Sequence, residues 1–154
     1  MTISNLRFIR ITLFLIILVW NIGIFWEFVV VHFNFGFSLL PILKYNYSIV
    51  CHTESDKLLQ YGLYSTLTCS RCTGIYFGSL ITAFLLIFTA RLNISTRTFL
   101  LISIPLFADV ALNSFGFYHY NKIIAVATGL LLGSMGFVYI QKSLLKFLTN
   151  KIGR

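Results

Sequence analysis

The chain has 154 residues, 58% hydrophobic, 17% aromatic and only 10% charged, with a mean hydropathy of +0.87. Soluble domains carry about 25% charged residues, so this chain cannot cover a water-facing surface, and a soluble globular fold is excluded. The net charge of +8 lies beside apolar stretches rather than in one patch, which argues for a membrane protein of a single domain, residues 1–154, and against nucleic-acid binding.

A spanning helix needs about 20 mostly apolar residues. Residues 11–31 form the first such stretch. It is too long for a signal-peptide core and no small-x-small cleavage site follows it, so a retained anchor is expected. The next segment, 32–72, is too apolar for a solvated loop: Phe33, Phe35, Phe37, Leu39, Leu40, Ile42, Leu43, Tyr45, Tyr47, Ile49 and Val50 crowd it, interrupted by Pro41. This composition predicts an interfacial or re-entrant element with aromatics at headgroup level. Three further spans are expected at 73–90, 98–117 and 123–140. The fold class is therefore all-α, a four-helix integral membrane bundle.

Lysine and arginine set the orientation. Arg7, Arg10, Arg91, Arg97, Lys142, Lys146, Lys151 and Arg154 flank the spans on one side, eight of the twelve basic residues. That side is expected to be the cytoplasm, with both termini there and the protein in the cell (inner) membrane, its one evident partner the lipid bilayer. Lys44, Lys57, Arg71 and Lys122 fall on the opposite side, partly offset by Glu54 and Asp56.

The outward side carries the chemistry. Cys51-His52 and Cys69-Ser70-Arg71-Cys72 place all three cysteines within 22 residues, at the start of the second span. Thiolate and imidazole are strong ligands for zinc. Cys51, Cys69 and Cys72 with His52 would complete a Cys3His set, although neighbours in sequence ligate one ion awkwardly; His119, beyond the third span, is the substitute, and His32 a further candidate. The same thiols support a second reading, a membrane thiol–disulfide oxidoreductase. An outward site meets an oxidising compartment, and Arg71 beside Cys72 would favour a thiolate. Against it, three is an odd number for paired cysteines. The plain alternative is a structural disulfide, or reduced thiols packed at the interface.

Asp109 lies in the middle of the third span, and an acid at membrane depth marks a functional site by default. Asn113 is one turn further outward on the same face. Thr73, Thr128 and Ser134 are its expected hydrogen-bond partners if it is a structural lock. If it instead carries ions or protons, the protein is a small transporter or accessory subunit. Thr73-Gly74-x-x-x-Gly78 in the second span is matched by Thr128-Gly129-x-x-x-Gly133 in the fourth. Glycines four apart allow close helix approach; a duplicated two-helix unit is the sharper alternative. The chain has no phosphate-binding glycine loop, hydrolase nucleophile motif or His-Glu-x-x-His helix.

Taken together, Cys51-His52, Cys69-Ser70-Arg71-Cys72-Thr73-Gly74-Ile75-Tyr76-Phe77-Gly78, Ala108-Asp109 with Asn113, and Thr128-Gly129 to Gly133 resemble the bacterial and archaeal membrane family called domain of unknown function 2085. The resemblance covers roughly residues 40 to 136 and adds weight to these positions without supplying an activity. Two departures stand out. Thr53-Glu54-Ser55-Asp56-Lys57 replaces the family's Gln and Pro-Glu-Arg-Ser-like run, keeping an acid–base pair at Asp56-Lys57. Ala125-Val126-Ala127 lacks the Arg that often precedes the late Thr-Gly, which leaves the partner of Asp109 open.

Overall fold

A computed structural model describes residues 3–33, 36–52, 54–62, 64–89, 94–116 and 119–152, with side chains described only between 7 and 146. Arg91, Arg154 and the side chain of Lys151, used above for orientation, lie outside the described set, as do the expected span ends at 90 and 117.

Helix α1 (Ile3–Ile24) begins the chain. The first predicted span is in fact two helices, because α1 stops at a turn and α2 (Trp26–Phe33) follows. Tyr47 donates its hydroxyl to the Trp20 carbonyl at 2.7 Å, in the last turn of α1. Gly23 leaves room for that ring, since a Cβ there would strike the Tyr47 hydroxyl. A side chain inserted at the carbonyl ladder is a recognised cause of a helix break.

The predicted interfacial element is helix α3 (Leu40–Val50), entered through a 3-10 turn at Phe37–Leu39. Pro41 does not interrupt it. It sits in the first turn, where its missing N–H costs no intrahelical bond. Tyr47 is buried against α1 while Ile42, Tyr45, Ile49 and Val50 stay exposed. A hairpin that the all-α expectation did not include comes next, β1 (Leu58–Tyr61) and β2 (Tyr64–Cys69), antiparallel, with Leu58 opposite Cys69 and Tyr61 opposite Tyr64. Gly62 makes its turn at φ 63°.

The remaining spans are α4 (Ser70–Phe88), α5 (Thr96–Ser114) and α6 (Lys122–Ile152). Helix α4 starts three residues before the expected 73, which brings Cys72 into its first turn. Helix α6 is 31 residues long and runs well past the expected 140. Asn121 caps its start, its Oδ1 accepting the N–H of Ile123 at 2.9 Å. Four helices, α1, α4, α5 and α6, are long and apolar enough to cross a membrane.

Helices α4 and α6 form the centre, with α1 on the outside of α4 and α5 on the outside of α6. The two Thr-Gly motifs pack against each other. A Cβ on Gly74 would meet the Val126 carbonyl and one on Gly78 the Leu130 carbonyl. Reciprocally, a Cβ on Gly129 would meet the Arg71 carbonyl and one on Gly133 that of Ile75. The following serines repeat the exchange: Ser79 donates to the Gly133 carbonyl at 3.1 Å and Ser134 to the Gly78 carbonyl at 3.3 Å. The contacts advance together along both helices, so the pair is parallel. The close approach that small residues permit is thus realised between the two copies of the motif.

One end of the bundle is tied by basic side chains. Arg10, expected to precede the first span, lies within α1 and is buried, and its Nη1 donates to the carbonyls of Leu86 at 2.7 Å and Thr89 at 2.9 Å. These are carbonyls at the end of α4 that lack an intrahelical partner. Lys142 donates to the Ile94 carbonyl at 3.1 Å at the same end. The cysteines lie at the other end.

Candidate metal centre

Three local features bring the thiols together. Cys51 caps the C-terminus of α3 in an extended conformation (φ −141°, ψ 133°), its N–H bonded to the Tyr47 carbonyl. Cys69 ends β2 and is the N-cap of α4. Cys72 follows in the first turn of that helix. The Cys69 N–H donates to the Cys51 sulfur at 3.3 Å. All three sulfurs lie within 4.8 Å of one another, and no disulfide joins them. A tetrahedral zinc with Zn–S bonds of about 2.3 Å spaces its sulfurs by about 3.8 Å. A small contraction would let the triad hold one such ion.

The surroundings favour a thiolate at Cys69. Hydrogen bonds from the Cys51 and Cys72 thiols push its pKa down, against burial, and the N–H groups of Cys72 and Arg71 at the helix start add to the effect. Cys51 is pushed up, first by its bond to Cys69 and then by burial. The hairpin is locked to the helix start by buried threonines. The Leu59 N–H donates to Thr66 Oγ1, Thr66 to the Thr68 carbonyl, and the Thr68 and Thr73 hydroxyls share a 2.9 Å bond. Ser70 Oγ donates to the Lys57 carbonyl at 2.8 Å.

The histidines stand apart from the thiols. Successive side chains of an extended chain point to opposite sides, so the conformation that buries Cys51 turns His52 outward, where it is exposed. His119 is exposed beyond the end of α5, and His32 lies on α2 with its ring edge-on to Phe33. Neither His52 nor His119 joins the thiol group.

Asp109 is buried at 5% exposure, and its Oδ2 accepts from both Nε and Nη2 of Arg71, at 3.1 and 2.5 Å. This corrects two expectations. The Arg71 guanidinium engages the acid on α5 rather than a cysteine, because the first turn of α4 lies across from it. The described bonds of Thr73, Thr128 and Ser134 also go elsewhere. Thr73 bonds Thr68, Thr128 donates to the carbonyls of Ile124 and Ala125, and Ser134 to that of Gly78. Asn113 is half-buried one turn away, its carbonyl accepting the Gly116 N–H. Arg71 is thereby the partner of Asp109 that the sequence left open. Gly74 and Gly129 serve the α4–α6 contact described above.

Tyr120 and Glu27 emerge as contacts that their sequence contexts did not single out, and Lys57 takes other partners than expected. The Tyr120 ring has the Arg71 guanidinium 5.7 Å and the Lys57 ammonium 5.9 Å from its centroid. Lys57 pairs with Glu54, not with its neighbour Asp56. Glu27 accepts the Ser65 N–H at 2.7 Å and its hydroxyl at 3.1 Å, and pairs with Lys44 at 3.0 Å. It clamps α2, α3 and the hairpin together. A lone acid at the end of a hydrophobic stretch was the available signal for Glu27; nothing local marked Tyr120.

The family model for domain of unknown function 2085, described as "Predicted membrane protein", matches residues 51–139. That match runs from the first cysteine to the body of α6, and so takes in every residue of the thiol group and the Arg71–Asp109 pair. An uncharacterized protein of the archaeon Methanothermobacter thermautotrophicus is 32% identical over 98 residues, covering 62% of this chain and 86% of its own. No solved structure matches the chain. The chain belongs to the membrane-protein family called domain of unknown function 2085.

Proposed function

We propose that this protein binds zinc through the thiolates of Cys51, Cys69 and Cys72 on the outer side of the cell membrane, as a single four-helix domain with both termini in the cytoplasm. The observation that carries the reading is the convergence of three sulfurs, from a helix end, a strand end and a helix start, to within 4.8 Å. Thiolates of this kind suit zinc, and binding would release protons and tie the hairpin to α3 and α4. The orientation rests on charge. Arg7, Arg97, Lys142 and Lys146 belong to the end opposite the thiols, and cytoplasmic flanks carry such an excess.

The test is metal analysis with thiol counting on protein purified in detergent. The expected result is one zinc per chain, with thiols that react only after chelation. Metal-free protein with a Cys69–Cys72 disulfide would overturn the zinc reading in favour of thiol–disulfide exchange.

A further inference from the structure

Resting on the zinc reading, we infer that the fourth coordination position of the metal is not filled by a side chain and takes a small exogenous sulfur ligand, a thiol or hydrosulfide. The chain contains three His, three Cys and four acidic residues, and every one of these ten is among the described residues. The thiol group includes the three cysteines and no other.

Each remaining candidate is held elsewhere or turned away. His32 is exposed on α2 with its ring edge-on to Phe33. His52 is directed outward by the extended backbone at Cys51. His119 is exposed past α5. Glu54 pairs with Lys57, and Asp56 accepts from Ser55. Glu27 is engaged by Ser65 and Lys44, and Asp109 by Arg71. A closed structural zinc site has four protein ligands, whereas three plus an open position is the arrangement of sites that take an outside ligand.

Access and chemistry agree with this. Cys69 and Cys72 are only half-buried, so the described residues do not fully seal the triad. A metal already bound by three thiolates is matched by another soft donor. A thiol that enters loses its proton to become the fourth thiolate, so one S–H bond is replaced by one metal–sulfur bond and a proton leaves to solvent. No electron transfer is involved.

The experiment uses the full chain in detergent, reduced with a phosphine and loaded with Co2+ in place of zinc. Titration with 2-mercaptoethanol or hydrosulfide is expected to shift the visible bands saturably and raise the sulfur-to-cobalt absorption, with one proton released per mercaptoethanol bound and none for hydrosulfide that enters as the anion. His52→Ala and His119→Ala should leave the starting spectrum and the shift unchanged. A spectrum that thiol does not move, or that either alanine variant alters before thiol is added, overturns the inference while leaving metal binding intact. A response to imidazole or azide but not to thiol overturns the ligand class. Failure to take up cobalt with three reduced thiols present strikes the zinc reading itself, and this inference with it.

Discussion

Arg71 and Asp109 form an ion pair between the first turn of α4 and the C-terminal third of α5, with two nitrogens of the guanidinium, Nε and Nη2, directed at one carboxylate oxygen. The carboxylate side chain is 3% exposed and the arginine 19%. Arg71 stands between Cys69 and Cys72 in the chain, so the residue that anchors α5 belongs to the segment that supplies two of the three thiols. The position of α5 and the geometry of the thiol group are therefore mechanically joined.

Asp109→Leu should leave the partly buried Arg71 charge without its carboxylate, a loss below the roughly 3–5 kcal/mol of fully buried pairs. Asp109→Asn keeps an acceptor and should lose clearly less. Thermal unfolding in mild detergent gives the order, and metal retention should fall in the same order. Equal loss in both variants would mean that the charge itself matters, as ion or proton handling requires. A harmless Asp109→Leu would remove the residue from the site.

Gly133→Ala should disrupt the α4–α6 contact, because its Cβ would fall on the Ile75 carbonyl, which is backbone and cannot swing away. Overpacking of this kind costs about 1–3 kcal/mol. Gly136→Ala is the control: its Cβ would meet only the Phe99 ring at 3.6 Å, an ordinary contact. Its stability should stay within about 1 kcal/mol of wild type. Similar unfolding temperatures for the two variants would contradict the described packing.

Arg10→Leu should expose the end of α4. It removes two charge-assisted hydrogen bonds to the Leu86 and Thr89 carbonyls, and bonds to charged groups contribute about 1.5–3 kcal/mol each. Hydrogen exchange should quicken at the C-terminal turn of α4 and not at the thiol end. Unchanged exchange at that turn would argue against the tie.

Acid should loosen the hairpin through Glu27. Burial raises its pKa, but the Ser65 N–H bond and Lys44 outweigh this, and the net shift is down from 4.5. A depressed folded-state pKa gives stability that is present above the unfolded value and lost as pH falls through the folded one. The clamp should therefore hold above about pH 4.5 and release only in stronger acid. Protection of the Ser65 amide across that range is the measurement. Glu27→Gln should flatten the dependence, and a profile that survives the substitution would assign it to another group.

Reporter fusions should place the segment 91–97 and the C-terminus inside, and 52–68 outside. An external 91–97 would reverse the orientation drawn from the basic residues.

Hydropathy by itself determined the membrane class and the four spans, because burying backbone in lipid demands about 20 apolar residues whatever they pack against. The Cys-Ser-Arg-Cys block and the Thr-Gly repeats were equally legible, since their spacing is local. Partners were not. That Arg71 reaches Asp109, that Arg10 turns inward to cap α4, and that the two glycine motifs meet each other are relations between segments far apart in sequence. The hairpin was hidden inside a loop of mixed character, although Gly62 and the threonines of β2 carried its turn and strand signals. That His52 stands apart from the thiols was decided by one backbone conformation, the extended Cys51, which sends the thiol inward and His52 out. Composition records which donors exist, and only the folded chain fixes which of them share a point in space.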